Sequence, residues 1–330
     1  MLKMADRKHF AKPDKRRMSE EGGKKMIWVY PPNNWVSNYN ETFVYGWCEP
    51  KAKLFVEAGF PPEVGPPSAE KPACTKPIPV RIFPNGNFAQ SIKLPDKKNI
   101  VSLIQILNGK KKVVSRNVIA DTNVGIYHGK SLKSKKTKKE IVGAEQHVCP
   151  LRVIIIDPGH GGKEHGTHSP KGIPEKVFNL EIAKLLFNKL RRRVASNAST
   201  VQIYLTRTND KDISLKQRID FAKKKKCNLF ISIHHNALPD NENPLKHRGV
   251  GVYYTHDFVK PLAKNFLDSI SREAKMKKYG IFKRDFAVTR PDFYTGILIE
   301  CGFLIHPEEG EYVIKKAIQE KIVRGIIKSL

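Results

Sequence analysis

Arg152-Val153-Ile154-Ile155-Ile156-Asp157-Pro158-Gly159-His160-Gly161-Gly162 decides how the second half of this chain is read. Arg152–Ile156 is a continuous apolar run without polar alternation, which fits a strand buried on both faces. It ends in a glycine-rich turn that carries one histidine, and the glycines let the backbone turn sharply and leave room for a bound group. Downstream, Lys176–Val194 has helical spacing, with Val177, Leu180, Ala183, Leu186, Phe187 and Leu190 on one face. Val201–Leu205 reads as a strand, Ile213–Lys224 as a helix, and Asn228–Ile233 and Gly249–Tyr254 as strands. Phe258–Ala274 is a helix and Gly296–Cys301 a strand. Pro307–Leu330 reads as one helix, with acids in its first turn (Glu308, Glu309, Glu311) and bases in its last (Arg324, Lys328), as the helix dipole prefers. Strands alternating with helices predict an α/β domain over residues 151–330, a mixed, mostly parallel sheet flanked by helices.

Metal-capable side chains fall at the carboxyl ends of three of these strands. Arg152–Ile156 runs into His160, Asn228–Ile233 runs into His234-His235-Asn236, and Gly296–Ile299 ends in Glu300. A fourth residue, Glu175, opens the long helix after Pro174. Sites in open α/β sheets gather outside the carboxyl ends of strands. Two imidazoles and one carboxylate, with a fourth position open to water, make a hydrolytic zinc arrangement, and His160, Glu175 and His234 can supply it. Glu300 is placed to take the proton of the water. Alone, each has a plainer reading: a surface histidine, or a first-turn helix acid. Glu300, inside an apolar run, needs a partner if it is buried.

The same residues carry a resemblance. Asp157-Pro158-Gly159-His160-Gly161-Gly162, Gly172-Ile173-Pro174-Glu175-Lys176 with Asn179-Leu180, Thr206-Arg207, Ser232-Ile233-His234-His235-Asn236-Ala237 and Leu298-Ile299-Glu300-Cys301-Gly302-Phe303-Leu304 with Pro307-Glu308-Glu309 resemble the zinc-dependent N-acetylmuramoyl-L-alanine amidases in order and spacing. The resemblance covers about residues 152–330. It implies Zn²⁺ held by His160, Glu175 and His234, with Glu300 as the catalytic acid/base. It prefers His234 to His235, which then fills a variable position. It also implies that Arg290 holds a peptide carboxylate near the substrate groove. The implied reaction cuts the amide between N-acetylmuramic acid and L-alanine in peptidoglycan. Some such amidases carry a long insert that plugs the site. Here the strand at Gly249–Tyr254 leads straight to the helix at Phe258–Ala274, so an open site is expected.

The first half has a different texture. Met26–Tyr30, Thr42–Trp47, Lys53–Glu57, Ile78–Phe83, Phe88–Leu94, Val101–Leu107 and Val113–Ile119 are short β-rich runs separated by Pro, Gly and Asn. Asn85-Gly86 suggests a type I′ hairpin turn. Residues 26–120 are expected to form a small all-β sandwich, similar to bacterial immunoglobulin-like modules. Its aromatics Trp28, Trp35, Tyr39 and Trp47 suit either sugar stacking or a small core. Residues 1–25 read as a disordered basic N-terminus and 121–150 as a Lys-rich linker.

The chain of 330 residues carries 60 Lys+Arg against 32 Asp+Glu, a formal charge of +28, which invites an anionic partner. The excess is split evenly, +14 in residues 1–150 and +14 in 151–330, so it is no single basic tail. Peptidoglycan, with anionic envelope polymers beside it, is the partner expected. Nucleic acid is disfavoured because no helix-turn-helix, zinc-finger or aromatic RNA-binding pattern is present. Five cysteines (Cys48, Cys74, Cys149, Cys227, Cys301) make no disulfide framework and no CxxC pair, although a Cys48–Cys74 bridge stays open. No secretory signal or membrane-spanning run is visible, yet the implied reaction places the protein, expected as a monomer, in the cell envelope. Three other readings stand beside this one: a zinc peptidase on peptide stems or another amide, a basic nucleic-acid binder without hydrolase activity, and a non-catalytic wall binder.

Overall fold

The computed structural model describes residues 26–37, 39–59, 76–120, 153–196 and 200–330. The expected disordered N-terminus (1–25), the Lys-rich linker (121–150), Cys74 and Cys149 lie outside the described residues.

Eight strands build the first unit: β1 (Ile27–Tyr30), β2 (Trp35–Ser37), β3 (Glu41–Trp47), β4 (Lys53–Gly59), β5 (Ile78–Val80), β6 (Asn87–Lys93), β7 (Lys98–Leu107) and β8 (Lys110–Ala120). They form two sheets, ordered β1-β3-β6 and β2-β8-β7-β4-β5. Trp28, Val44 and Phe88 of the first sheet share a core with Leu54, Val56, Val101, Leu103 and Val118 of the second. β2 went unread because three residues are too short to show a period of two.

The turn expectation is corrected. A type I′ turn needs positive φ at both central residues, and Pro84 is locked near −65°. Gly86 alone of that turn is left-handed (φ 83°), its N–H donates to the Phe83 carbonyl at 2.8 Å, and Phe83 N–H donates to Asn87 O at 2.9 Å. The two-residue Asn-Gly turn is instead Asn108-Gly109 (φ 51° and 74°), which sets Leu107 opposite Lys110.

Val44 points into the shared core, so its neighbours Phe43 and Tyr45 point out of it. A register shift in β1 between Trp28 and Tyr30 turns Tyr30 to that same outer side. This outer face is not solvated: Tyr30, Phe43, Tyr45 and Ala89 pack with Phe303 and Ile305 of the second unit.

The second unit contains β9 (Val153–Pro158), α1 (Glu175–Ser196), β10 (Gln202–Leu205), α2 (Leu215–Lys224), β11 (Leu229–Asn236), β12 (Val250–Tyr254), α3 (Lys260–Ala274), β13 (Lys278–Lys283), β14 (Thr295–Phe303), α4 (Pro307–Val313) and α5 (Lys316–Lys328). Its six strands are ordered β10-β9-β11-β14-β12-β13, all pairs parallel except β12 with β14. The mixed, mostly parallel α/β sheet is as expected. α1, α3 and α5 cover the face that carries Ile154, Ile156, Ile231, Ile233 and Ile299. α2 and the loop before β14 cover the face with Ile155, Phe230 and Leu298.

Several boundaries differ from expectation. The helix expected at Pro307–Leu330 is two helices, broken where Lys315 is extended (φ −68°, ψ 128°). The break lets α5 pack on α3 while α4 stays beside β14. The buried side of α1 is Glu175, Lys176, Phe178, Asn179, Ile182, Ala183, Leu186 and Leu190, and Val177 is 38 % exposed. Three buried polar residues, Glu175, Lys176 and Asn179, occupy that stripe, so counting apolar residues alone rotates it. β13 was not expected, and its burial pattern is intermediate throughout apart from exposed ends.

Candidate metal centre

His234 and Glu300 lie inside their strands rather than just beyond them, since β11 continues to Asn236 and β14 to Phe303. The parallel register of these two strands sets His234 directly opposite Glu300. Alternation then aligns Ser232 and His234 on one face of β11 with Leu298 and Glu300 on β14. Gly251 of β12 flanks Glu300 on its other side, and Glu300 is 3 % exposed.

Glu175 reaches this point from the first turn of α1. Its Oε1 lies 3.3 Å from His160 Nε2 and 3.1 Å from His234 Nδ1. Among the described residues, His160, Glu175 and His234 form the one group of three that could hold a metal ion, with ligand atoms all within 4.8 Å of one another. Donors about 2.0–2.1 Å from a tetrahedral zinc sit about 3.3 Å apart, so the separations from Glu175 suit one ion. A fully buried carboxylate between two imidazoles is also a donor set zinc accepts. Burial alone would raise the Glu175 carboxyl, but His160 and His234 beside it hold it well below the usual carboxylate range.

The backbone around the cluster is fixed by side chains the sequence reading did not assign. Asn179, one turn along α1, donates from Nδ2 to Glu175 Oε1 (3.0 Å) and to Gly159 O (3.2 Å). Its Oδ1 lies 2.8 Å from His235 Nδ1, so that nitrogen carries the proton. Burial pushes the His235 imidazole down to about 4, so it is neutral at pH 7. His235 is fully buried, and its backbone N–H donates to Glu175 Oε1 at 3.1 Å. Thr167 N–H donates to the other oxygen, Oε2, at 2.9 Å.

His160 has a left-handed backbone (φ 59°), costly for a residue with a Cβ unless its neighbours hold it. Two buried arginines do so. Arg218 donates to Pro158 O and His160 O (both 2.9 Å), and Arg207 to Pro158 O (3.0 Å) and Gly159 O (2.9 Å). Arg218 also pairs with Asp157, which accepts from Thr206 Oγ1 (2.6 Å) and Ser232 Oγ (2.8 Å). Burial would raise the Asp157 carboxyl, but Arg218 foremost, then Thr206 and Ser232, hold it below its ordinary value. Gly159 allows the tight approach: a Cβ there would lie 2.2 Å from the His234 ring. Arg218 was hidden among the many bases of α2. Its spacing of four from buried Ala222 on one helix face is the signal that could have found it.

Arg290 is not brought to the cluster. It sits in the loop before β14, with its Nε 2.6 Å from Asp285 Oδ1. Its neighbour Thr289 lies against Gly296, four strand residues, or about 13 Å, from Glu300. Cys227 and Cys301 are buried free thiols, consistent with packing roles.

Residues 154–330 match a family model described as N-acetylmuramoyl-L-alanine amidase. The probable cell wall amidase LytH of Staphylococcus epidermidis is 30% identical over 181 residues, which cover 53% of this chain and 57% of that protein. Its Staphylococcus aureus counterpart is 29% identical over 185 residues, covering 56% and 58%. The chain thus spans little more than half the length of these relatives. Among solved structures, an N-acetylmuramoyl-L-alanine amidase from Clostridium difficile 630 is 35% identical, with 54% of this chain and 94% of that one covered and a TM-score of 0.49. The catalytic domain of CwlV from Bacillus (Paenibacillus) polymyxa var. colistinus is 27% identical, with 54% and 96% covered and a TM-score of 0.49.

Proposed function

This chain belongs to the N-acetylmuramoyl-L-alanine amidase family, and from that premise we propose that it hydrolyses the amide between N-acetylmuramic acid and L-alanine in peptidoglycan. The observation that carries the reading is the His160–Glu175–His234 cluster with Glu300 opposite His234 across a strand pair. His160, Glu175 and His234 would hold Zn²⁺, which when bound lowers the pKa of water toward about 7 and polarises a carbonyl. Glu300 takes the proton of the attacking water and passes it to the leaving amine, so one carboxylate serves as base and then acid. No covalent intermediate is needed. The two arginines hold the carbonyls of residues 158–160, and Asn179 and Thr167 fix the Glu175 carboxylate, so the ligands are set before substrate arrives. Arg290 would meet a peptide carboxylate only by exchanging its partner Asp285.

Residues 151–330 are read as the catalytic domain and 26–120 as an immunoglobulin-like β-sandwich. The expected workplace is the cell envelope. Among the described residues no helix is long and apolar enough to cross a membrane. The basic surface would favour peptidoglycan bearing anionic polymers. A test is to strip metal with a chelator, restore it with zinc, and follow solubilisation of purified peptidoglycan. Activity should vanish and return, with one zinc bound per chain. Full activity of protein shown to be metal-free would exclude the mechanism.

A further inference from the structure

The β1-β3-β6 sheet of the N-terminal unit presents Tyr30, Phe43 and Tyr45 to the α/β domain, and their rings stack on one another with centroids 4.9–5.9 Å apart. This face touches the two loops that flank the metal centre. The first is the β9–α1 loop: Tyr45, 1 % exposed, has its hydroxyl beside the Thr167 side chain and the His168 backbone. Thr167 in turn donates its N–H to Glu175 Oε2 at 2.9 Å and accepts from Glu175 N–H at 2.8 Å. The second is the β11–β12 loop, which begins directly after His234-His235-Asn236. Its Asp240 accepts hydrogen bonds from Tyr30 Oη and from Trp35 Nε1, the latter at 2.9 Å, and its Leu238 and Leu245 pack on the aromatic face. A third contact adds rigidity: Asn85 and Asn87 both donate to Pro307 O, at 3.0 and 2.8 Å.

We propose that the N-terminal β unit is a fixed brace of the metal centre rather than a detached binding module or spacer, with Tyr45 acting through Thr167 as a positioning residue for Glu175. A contact that orients a ligand raises metal affinity because the ligand's freedom is already spent before binding. The three tryptophans fit a structural use of this unit, since each indole N–H is given to a protein oxygen: Trp28 to Tyr30 O (2.6 Å), Trp35 to Asp240 Oδ2 (2.9 Å), and Trp47 to Asn85 O (2.8 Å).

The inference rests on the metal-ligand reading above, and the test separates the two. Full-length Tyr45→Phe keeps the ring stack and removes the hydroxyl; Trp35→Phe removes the bond to Asp240. Zinc affinity is measured by competition with a chelator, and hydrogen exchange of the Thr167 and Glu175 amides is followed in the metal-free protein. Tyr45→Phe should bind zinc roughly 10-fold more weakly, and both amides should exchange faster. A zinc affinity and exchange pattern equal to wild type in both variants would overturn the brace. If wild-type protein binds no zinc, the ligand reading fails, and the exchange rates alone decide the brace: faster exchange in Tyr45→Phe supports it and unchanged exchange overturns it. Should Tyr45→Phe unfold, the same exchange measurement on Trp35→Phe decides.

Discussion

At the residue scale, the groups that would bind metal differ from those that would move protons or hold the ligands still. Glu300→Gln removes the base but none of the three ligands. It should keep one zinc per chain and lose activity by about 10²–10⁴-fold, read by metal analysis and a turnover assay on the same sample. Activity within a few-fold of wild type would remove Glu300 from the proposed mechanism. Asn179→Ala takes away the amide that bonds Glu175, Gly159 and His235 together. Zinc affinity should fall about 10–100-fold in a competition titration, and an unchanged affinity would show that the network does not orient Glu175. His160, His234 and Glu300 stand out in the sequence because residue type coincides with the carboxyl ends of strands, and Glu175 because it opens a helix directly after Pro174. The roles of Asn179, Thr167 and Arg218 were not legible, because they lie in hydrogen bonds to partners 4 to 61 positions away; helical spacing could have marked Arg218 as buried but not what it bonds.

At the element scale, α4 carries a pH-dependent cap. His306 precedes the helix, and its Nδ1 accepts from the N–H groups of Glu308 and Glu309, both at 3.2 Å. Burial pushes this imidazole down to about 4, whereas in the unfolded chain it titrates near 6.5. Between those values the unfolded state holds the extra proton, so stability is full above about pH 6.5 and declines as pH falls toward 4. Asparagine also accepts at an N-cap but does not titrate. Denaturant unfolding of metal-free His306→Asn at pH 7 and pH 5 should show a smaller acid loss than wild type, by up to about 1.4 kcal/mol per pH unit. Identical losses would mean the imidazole is not the titrating cap. Most strands and helices could be read from periodicity and turn residues. The misreadings have specific causes: Pro84, not Asn85-Gly86, dictates that turn, polar Glu175, Lys176 and Asn179 fill part of the buried stripe of α1, and one extended residue, Lys315, divides a stretch that otherwise reads as one helix.

At the scale of the whole molecule, the charge of +28 and the contact between the two units bear on how the chain would meet the proposed substrate. Charges on a solvated surface act over about a Debye length, near 10 Å at 0.1 M salt. Glu300→Gln protein should therefore co-sediment with purified walls less as salt is raised, and less with walls stripped of anionic polymers. Binding that ignores both would leave the basic surface without this role. Contacts of Tyr30 with Asp240, Tyr45 with the Thr167–His168 segment, and Asn85 and Asn87 with Pro307 place the β unit against the loops beside the candidate metal centre and against α4, an arrangement invisible in sequence because the partners are more than 100 positions apart. The most direct measurement of the central claim is mass spectrometry of purified peptidoglycan digested by zinc-loaded wild-type protein and by Glu300→Gln. Intact stem peptides with a new L-alanine amino terminus and glycan strands freed of peptide should form with wild type alone. Cleavage inside the stem peptides, or the same products in equal yield from Glu300→Gln, would contradict the claim.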